Sequence, residues 1–315
     1  MKVVVTGGAG FIGSHLVDGL LDKGAEVTVL DNLSTGSLGN LDQVIGDIRF
    51  VEDDIRDLDA VKRAVAGADT VFHEAALGSV PRSIEDPVTS NDVNVNGTLN
   101  VLVASRDAGV RRVVFASSSS VYGDTPTLPK HEGMPTVPTS PYGVTKLAAE
   151  MYFRAFACVY GLETVCLRYF NVFGPRQEPN SMYAAVIPKF VKKLLASESP
   201  TVFGDGDQSR DFTFVSNVVD ANLLAMDSTA GIGEVFNIAA GDPVTLNALA
   251  EQMQLIMETD IPLVYEGSRP GDIRHSFGDI TRARAGLGYE PRVRLEEGLR
   301  QTVPWFSGVK SHATI

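Results

Sequence analysis

A tyrosine and a lysine four residues apart are the first residues in this sequence that could do chemistry. Tyr142 and Lys146 lie in the run Tyr-Gly-Val-Thr-Lys, and on a helix this spacing places both side chains on one face. A lysine ammonium beside a phenol favours the phenolate, so Tyr142 could act as a base near neutral pH. The same pairing is common on exposed helices, and its meaning depends on what the fold places beside it.

A run of serines lies upstream of this pair, directly after an apolar stretch. Residues 113–116 read Val-Val-Phe-Ala and predict a strand, and serine occupies positions 117–120. Doubly wound sheets bind ligands at the carboxyl ends of their strands. Hydroxyl groups at this position could therefore bridge a substrate hydroxyl to Tyr142, although we expect at least one serine to bond only to local backbone.

The beginning of the chain has the spacing of a dinucleotide-binding turn. Residues 3–6 read Val-Val-Val-Thr and run into Gly-Gly-Ala-Gly-Phe-Ile-Gly, and an amphipathic helix follows to about Lys23. Glycine permits the tight turn and the close backbone approach, while the N–H groups at the start of the helix bind a pyrophosphate. The cofactor contacts that we predict here are Gly7, Gly10, Phe11, Ile12 and Gly13.

The end of the second predicted strand carries a carboxylate that can select the nucleotide. Asp31 is placed to accept hydrogen bonds from the ribose hydroxyls and would repel a 2′-phosphate. The residues that follow, including Asn32, Ser34 and Gly36, contain no Lys or Arg that could hold such a phosphate. The sequence therefore predicts NAD rather than NADP as the cofactor.

A parallel sheet is needed to bring these residues together. The first 170 residues alternate apolar runs with amphipathic helical stretches, which predicts an α/β fold with a Rossmann-type doubly wound parallel sheet. We predict strands at Lys2–Thr6, Glu26–Asp31, Arg49–Asp53, Thr70–Glu74, Arg112–Ser117 and Glu163–Tyr169.

Beyond Asn171 the pattern is less regular and predicts a smaller α/β C-terminal lobe. Short β runs are predicted at Thr201–Phe203, Glu234–Ile238 and Pro262–Tyr265, with helices near Ala184–Ser197, Ser216–Asp227 and Leu246–Met257. The run Glu234–Ile238 is as apolar as a buried strand, so a segment near 212–240 is expected to return to the first sheet. We predict an NAD-binding domain at 1–170 and a mainly substrate-binding lobe at 171–315, folded as one unit.

Composition excludes several classes of function. The formal net charge of -12 argues against nucleic-acid binding, which relies on clustered Lys and Arg. No apolar run approaches the roughly 20 residues that span a bilayer, so we expect a cytosolic protein without membrane association. Cys158 and Cys166 lack the spacing of a disulfide framework or a zinc site.

A small anionic ligand would need local arginines, and the candidates are Arg82, Arg176, Arg210 and Arg269, each of which could equally form a surface ion pair.

Several motifs together resemble those of the extended short-chain dehydrogenases/reductases and, among them, the UDP-hexose 4-epimerases. The likeness extends from Met1 to about Phe306. The motifs are TGGAGFIGS at 6–14, DDI at 53–55, HEAA at 73–76, SSSSVYG at 117–123, SPYGVTK at 140–146 and RYFNVFGP at 168–175.

The resemblance implies roles for individual residues around the cofactor. Tyr142 corresponds to the base, Lys146 to the residue that contacts the nicotinamide ribose, and Ser118 to the serine that shares the substrate hydroxyl. His73 is expected to be structural. The further implied cofactor contacts are Asp54 and Ile55 beside the adenine, Ala75 and Ala76 on the pyrophosphate side, Asn94 on the nicotinamide side, and Ser117 and Tyr169.

The same resemblance implies a UDP-sugar site formed largely by the second half of the chain. Arg210 and Arg269 would neutralise the diphosphate, a task for which guanidinium geometry is well suited. The other implied substrate contacts are Ser79, Val80, Arg82, Ser119, Ser120, Asn171, Ala185, Val186, Phe203, Asp272 and Ser276.

The reaction that this likeness implies is inversion of the C4 hydroxyl of a UDP-linked hexose. Related dehydratases and decarboxylases carry an acidic residue in the turn before VYG, where this chain has Ser119 and Ser120. Oxidation at C4 followed by reduction from the opposite face is the simplest use of Tyr142 and NAD, which is regenerated in each turnover. The sugar must turn over between the two steps while the UDP group stays anchored.

The choice of sugar depends on a small residue near the end of the chain. Ser276 stands where some family members have a bulky tyrosine, and a small side chain leaves room for a 2-acetamido group. The segment RQEPNSMYAAVIPKF at 176–190 also resembles enzymes that act on UDP-N-acetylhexosamines. We predict activity on UDP-GlcNAc/GalNAc and on UDP-Glc/Gal. A nearly equal alternative is an enzyme for UDP-glucose alone, in which Ser276 has no role in the choice of sugar.

Two other interpretations stay open at this point. A UDP-glucuronate 4-epimerase would share this apparatus and hold the sugar carboxylate with Arg176 or Arg82, and a non-catalytic NAD-binding scaffold could use the same fold. The resemblance also implies a homodimer joined through helices at 92–108 and 142–160, although a buried helix face could equally pack within one monomer.

Overall fold

Strands and helices alternate along the chain in the computed structural model, which describes residues 1–178, 185–268 and 273–308. The strands are β1 Lys2–Thr6, β2 Glu26–Asp31, β3 Ile48–Glu52, β4 Thr70–His73, β5 Arg112–Ser118, β6 Glu163–Tyr169, β7 Val172–Phe173, β8 Thr201–Phe203, β9 Ser209–Asp211, β10 Thr213–Phe214, β11 Glu234–Ile238, β12 Pro243–Thr245, β13 Val264–Glu266 and β14 His275–Ser276.

The helices of the described residues follow the predicted pattern, and none of them is both long and apolar enough to cross a bilayer. They are α1 Phe11–Asp22, α2 Leu58–Val65, α3 Val80–Glu85, α4 Pro87–Asn91, α5 Thr98–Asp107, α6 Pro141–Tyr160, α7 Val186–Leu195, α8 Val215–Asp227, α9 Leu246–Ile256, α10 Thr281–Leu287 and α11 Leu295–Phe306. A π-helical turn at Asp92–Gly97 precedes α5, and short 3-10 turns occur at Leu38–Asn40 and Ser119–Tyr122.

Seven parallel strands form the central sheet in the order β11-β6-β5-β4-β1-β2-β3. The chain proceeds from β1 outward to β3 and then crosses to β4 on the other side of β1. Because the direction of winding reverses between β1 and β4, a crevice opens at the carboxyl ends of these strands, where α/β sheets bind ligands. The predicted doubly wound sheet is confirmed, and Glu234–Ile238 joins it beside β6 as expected.

The boundaries of β3, β4, β5 and β13 differ from the predicted ones by one or two residues, and boundaries are where pattern-based prediction is weakest. Strand β5 continues through Ser118 because that residue still pairs with Tyr169 of β6. Strand β13 begins at Val264 rather than Pro262, since proline has no N–H to donate to a ladder, whereas the N–H of Val264 reaches the carbonyl of Pro200 at 3.0 Å.

Two apolar clusters cover the two faces of the sheet, and a third lies in the C-terminal part. Successive residues of a strand point to opposite faces, so Val113 packs in the cluster with α2, α5 and α6 and Val114 in the cluster with α1 and α8. The third cluster joins Phe173, Phe190 and Phe214 with residues of α9 and α11. The boundary of the two lobes at residue 170 stays a prediction.

One buried carboxylate connects the small sheets of the C-terminal part to the end of β11. Asp211, the last residue of β9, is fully buried and accepts hydrogen bonds from the N–H groups of Ala240 at 2.8 Å and Gly241 at 3.0 Å. It also accepts one from Gly278 at 3.3 Å. Burial raises the pKa of this carboxyl to about 6. These bonds hold β9, and with it Arg210, in a fixed position relative to the central sheet.

Candidate active site

The glycine turn between β1 and α1 packs so closely against neighbouring backbone that a side chain would not fit at Gly7 or Gly13. Gly7 has φ +73°, and a Cβ atom on Gly13 would lie 2.2 Å from the carbonyl oxygen of Gly7. Gly10 precedes α1 without a side-chain cap, so the first N–H groups of the helix lack an intrahelical acceptor. Such N–H groups, at the positive end of the helix, fit an anionic pyrophosphate. The residues of this turn therefore fit a dinucleotide.

Asp31 shapes the loops on both sides of the cofactor crevice. One carboxylate oxygen accepts a hydrogen bond from the N–H of Ala9 at 2.9 Å, and the other accepts one from Leu33 at 2.8 Å. Each oxygen keeps a lone pair that a ribose hydroxyl can use. Burial raises the pKa of Asp31, against the lowering effect of these two bonds.

A cavity of about 640 Å³ lies along the carboxyl ends of β1, β4 and β5. Seventeen of the eighteen predicted cofactor contacts line it, and the exception is Asn94. These seventeen are Gly7, Gly10, Phe11, Ile12, Gly13, Asp31, Asn32, Ser34, Gly36, Asp54, Ile55, Ala75, Ala76, Ser117, Tyr142, Lys146 and Tyr169.

Asn94 is bonded to residues of two neighbouring elements, and its predicted contact with the cofactor stays a prediction. Its side chain is buried, with Oδ1 accepting from the N–H of Leu77 at 2.8 Å and Nδ2 donating to Thr145 Oγ1 at 3.1 Å. Among the described residues it is Val93, one position earlier, that lines the cavity. Asn94 therefore connects the loop after β4 to α6.

His73 is structural, as expected. Its Nδ1 lies 2.7 Å from Thr6 Oγ1 and its Nε2 lies 2.8 Å from Thr98 Oγ1. Because the Thr98 hydroxyl donates to the carbonyl of Asn94 at 2.6 Å, it must accept from His73 Nε2–H, which leaves Nδ1 as an acceptor. Burial lowers the pKa of His73 to about 3, so the ring is neutral.

The start of α6 presents Tyr142 and Lys146 to the reactive end of the cavity. Ser140 caps the helix by accepting from the N–H of Gly143, and the N–H of Tyr142 donates to Ser83 Oγ at 3.0 Å. Lys146 is buried, and its ammonium donates to the carbonyl of Ala116 at 2.7 Å. Both predicted residues line the cavity from one helical face.

In the protein alone, the surroundings of Tyr142 favour the protonated phenol. Burial raises the pKa of the phenol to about 12, although a hydrogen bond with Ser118 opposes this effect. Burial also lowers the pKa of Lys146 to about 8, and the ammonium lies 5.9 Å from the centre of the Tyr142 ring. Further positive charge, such as that of an oxidised nicotinamide, is therefore needed for the phenolate to form near neutral pH.

The serine run divides into a structural residue and a local turn. Ser117 donates its hydroxyl to Glu150 Oε1 and so has no proton left for a substrate. Ser118 accepts from the N–H of Ser120 and donates to Ser120 Oγ, both at 3.1 Å, and it is also hydrogen-bonded to the phenol of Tyr142. Among the described residues that line the cavity, Ser118, Ser119 and Ser120 are absent.

A second cavity of about 260 Å³ adjoins the first. Its wall includes five predicted substrate contacts, and one of them, Ala185, also lines the larger cavity. The five are Asn171, Ala185, Val186, Phe203 and Arg210. Arg210 Nη1 donates to the carbonyls of Ser209 at 2.8 Å and Arg274 at 3.1 Å, which fixes the guanidinium at this wall.

The other predicted substrate contacts have different positions. Ser79 and Arg82 line the larger cavity, and Val80 begins α3, where Ser79 acts as the cap. Ser276 is buried in β14 and pairs with Arg210 of β9, but neither it nor Val80 is among the described residues lining either cavity. The predicted contacts Arg269 and Asp272 lie outside the described residues.

Three ionisable residues that line the larger cavity, Asp53, Glu74 and Glu178, were not among the predicted contacts. Glu74 follows β4 and lines the cavity together with Tyr142, Lys146 and Tyr169. The motif HEAA contains this glutamate, and an acid at the carboxyl end of a predicted strand could have indicated a residue of the site. The tertiary partner that makes it notable, the hydroxyl of Tyr169 at 2.9 Å, is 95 residues away and has no local sequence signal.

The fold and the site define a Rossmann-type dinucleotide-binding enzyme whose cavity is lined by a tyrosine and a lysine from one face of a helix. The chain belongs to the NAD dependent epimerase/dehydratase family, whose pattern matches residues 3–239. This confirms the resemblance found in the motifs and NAD as the cofactor.

Individual relatives match almost the whole chain. The UDP-glucose 4-epimerase of Mycolicibacterium smegmatis is 41% identical, covering 97% of this chain and 98% of that protein. A solved UDP-N-acetylglucosamine 4-epimerase from Methanobrevibacter ruminantium M1, in complex with UDP-N-acetylmuramic acid, is 44% identical with a TM-score of 0.93, covering 98% of both chains. The UDP-glucose 4-epimerase of Thermotoga maritima, solved with UDP-glucose, is 42% identical with a TM-score of 0.94, covering 98% of this chain and 99% of that chain.

Proposed function

We propose that this chain is a UDP-hexose 4-epimerase that interconverts UDP-GlcNAc with UDP-GalNAc and UDP-Glc with UDP-Gal, using bound NAD. The observation that carries the proposal is that the cavity containing Tyr142 and Lys146 shares Ala185 with the cavity that Arg210 lines. A nucleotide diphosphate at Arg210 can thus extend its sugar toward the tyrosine. The relatives named above support the same substrate class.

In this proposal the chain's own residues move one proton and hold the two ligands. Tyr142 takes the proton of the sugar O4 hydroxyl and later returns it. Ser118, which is hydrogen-bonded to the Tyr142 phenol, contacts the same sugar hydroxyl. The glycine turn and Asp31 hold NAD, and Lys146 lies on its ribose side. NAD, when bound, supplies the acceptor and donor of the C4 hydride. Arg210 anchors the diphosphate while the oxidised sugar turns its other face to the cofactor.

A comparison of substrates tests this proposal. The purified protein is incubated separately with UDP-GlcNAc, UDP-Glc and UDP-glucuronate, and each pair of C4 epimers is resolved by chromatography or NMR. We expect interconversion of the first two. Turnover of the uronate alone would overturn the proposed substrate, and no turnover of any of the three would favour the scaffold alternative.

The structure favours this substrate class over a uronate because one candidate carboxylate ligand is already engaged. Arg176 forms an ion pair with Asp18 of α1 at 2.7 Å, and among the described residues it lines neither cavity. Arg82 does line the larger cavity and is the remaining candidate for a sugar carboxylate. Arg82→Gln should therefore lower kcat/KM for UDP-glucuronate more than it lowers the value for UDP-Glc, when both sugars are measured under the same conditions.

We expect Ser276→Tyr to reduce activity on N-acetylated sugars selectively. Ser276 is buried and pairs with Arg210 at the wall of the second cavity, so a phenol ring must take its space from the neighbouring site. We expect kcat/KM for UDP-GlcNAc to fall at least about tenfold, while the value for UDP-Glc stays within about threefold. The control is Ser276→Ala, which removes the hydroxyl without adding bulk. Equal losses for both sugars in the tyrosine variant would contradict the size argument.

We also propose a homodimer joined through α5 and α6. Helix α6 carries several exposed apolar side chains at helical spacing, including Val144, Met151 and Val159, which is 69% exposed. Such a row is typical of an interface between two copies. Two free cysteines, Cys158 and Cys166, support a further proposal of a cytosolic location, where disulfides are rare.

The dimer is tested by placing a charge in this row. We expect Val159→Arg to halve the mass measured by light scattering at micromolar concentration, because an unpaired charge in an apolar interface is costly. Leu255→Arg, at a position of α9 that is 73% exposed, is the matched control and should keep the wild-type mass. A wild-type protein that is monomeric would refute this proposal.

A further inference from the structure

Glu74 is an acidic residue at the reactive end of the cofactor cavity that the proposed chemistry does not use. It follows β4 directly, and its N–H donates to the carbonyl of Thr6 of β1 at 3.1 Å. It lines the cavity with Tyr142 and Lys146. Tyr142 already serves as the base, so a second acid or base is not needed for proton transfer.

A chain of hydrogen bonds from α8 fixes this carboxyl group. Asn222 Nδ2 donates to the hydroxyl of Tyr169 at 2.7 Å, and that hydroxyl lies 2.9 Å from Glu74 Oε1. Because the tyrosine oxygen accepts from Asn222, its proton is free to point at Glu74. Asn222 and Tyr169 are buried, so the position of the carboxyl is determined by the core.

Few charged groups near Glu74 stabilise its carboxylate. Burial raises the pKa of Glu74 to about 7, and Lys146 is the cation that lowers it. His73, beside it on β4, is neutral because burial lowers its pKa, and burial raises the pKa values of Tyr142 and Tyr169. A glutamine could accept the same bond from Tyr169 without the cost of burying an acid. A carboxylate and an amide at this position therefore differ mainly in charge.

We propose that Glu74 tunes the redox balance of the bound cofactor, because its carboxylate favours the positively charged oxidised nicotinamide over the neutral reduced ring. Glu74 makes and breaks no bond. In the overall reaction the C4–H bond of the substrate breaks, its hydride with both electrons goes to NAD+, the hydroxyl proton goes to Tyr142, and both return to the sugar. Favouring NAD+ promotes the return of the hydride and opposes release of the oxidised sugar from a protein left with NADH. The inference rests on the NAD site and not on which sugar is used.

Competition between the two nucleotides tests this inference without any sugar. The wild type and Glu74→Gln are equilibrated with NAD+ and NADH mixtures of known ratio, and the bound ratio is read from the absorbance and fluorescence of NADH. At pH 8.5 we expect the variant to shift toward NADH by about tenfold, which corresponds to about one pKa unit of coupling. At pH 6.0 the shift should fall below about twofold, because Glu74 is then protonated in the wild type. Because Glu74 also raises the pKa of Lys146, the comparison is repeated in a Lys146→Met background, where no lysine can titrate and the shift caused by Glu74 should remain.

Two further variants keep the test decisive. Glu26→Gln makes the same chemical change at the start of β2, where Glu26 forms only a long ion pair with Lys2 at 3.8 Å, and it should bind both nucleotides as the wild type does. Tyr169→Phe removes the bond that lowers the pKa of Glu74, so the pH at which the bound ratio changes should move upward. An unchanged ratio in Glu74→Gln at pH 8.5, or a wild-type ratio independent of pH between 6.0 and 8.5, would overturn the inference whether or not UDP-sugars are epimerised.

Discussion

Replacing Tyr142 by phenylalanine is expected to lower kcat by about 10²–10⁴-fold, the range that a positioned acid–base group supplies. Only the phenol oxygen is removed, so the ring continues to fill its place beside Lys146 and the N–H of residue 142 continues to donate to Ser83. Binding of NAD and of UDP-sugar should therefore stay within about threefold of wild type, because the lost interaction matters mainly in the transition state.

The measurement is kcat for UDP-Glc in a coupled assay, together with calorimetric titration of UDP-sugar and the absorbance of bound nucleotide. Tyr152→Phe is the matched control, since Tyr152 lies on the same helix α6 but is 38% exposed, and it should retain wild-type turnover. Activity near the wild-type level in Tyr142→Phe would refute the base assignment. Loss of NAD binding in the same variant would instead indicate a structural role.

The parts of this protein that could be predicted from sequence are those encoded by local patterns. The glycine turn was predictable because a Cβ at Gly13 would collide with the carbonyl of Gly7, so that only glycine fits there. Strands such as Lys2–Thr6 and Glu26–Asp31 were predicted to the residue, since a strand buried on both faces is a continuous apolar run bounded by turn residues. The spacing of Tyr142 and Lys146 likewise depends only on helical geometry.

The features that were missed depend on partners distant in sequence. Asn94 is bound to Leu77 and Thr145, and Ser117 is bound to Glu150. No local pattern specifies such pairs, because any polar residue on a neighbouring element could serve as the partner. Glu74 was overlooked for the same reason, since its relation to Tyr169 exists only after β4 and β6 are placed in one sheet.

A buried ion pair joins the catalytic helix to the sheet and links stability to the site. Glu150 lies one turn beyond Lys146 on α6, and its oxygens accept from Arg168 of β6 at 2.9 and 2.7 Å. The two side chains are 0% and 5% exposed, respectively. Arg168 also stacks on the ring of Tyr122, 4.7 Å from its centre, and Ser117 donates to the same glutamate. These contacts fix the height of α6 above β5 and β6, and so the position of its reactive side chains.

Glu150→Leu is therefore expected to lower the free energy of unfolding by about 3–5 kcal/mol, the cost of leaving one member of a buried pair unpaired. Urea denaturation followed by circular dichroism measures this change. The double variant Glu150→Leu/Arg168→Met should recover most of the loss, because both charges are then absent from the core. Glu296→Leu is the surface control: its pair with Arg300 is more than half exposed, and its loss should cost less than about 1 kcal/mol. A double variant no more stable than Glu150→Leu alone would show that packing, and not the unpaired guanidinium, accounts for the destabilisation.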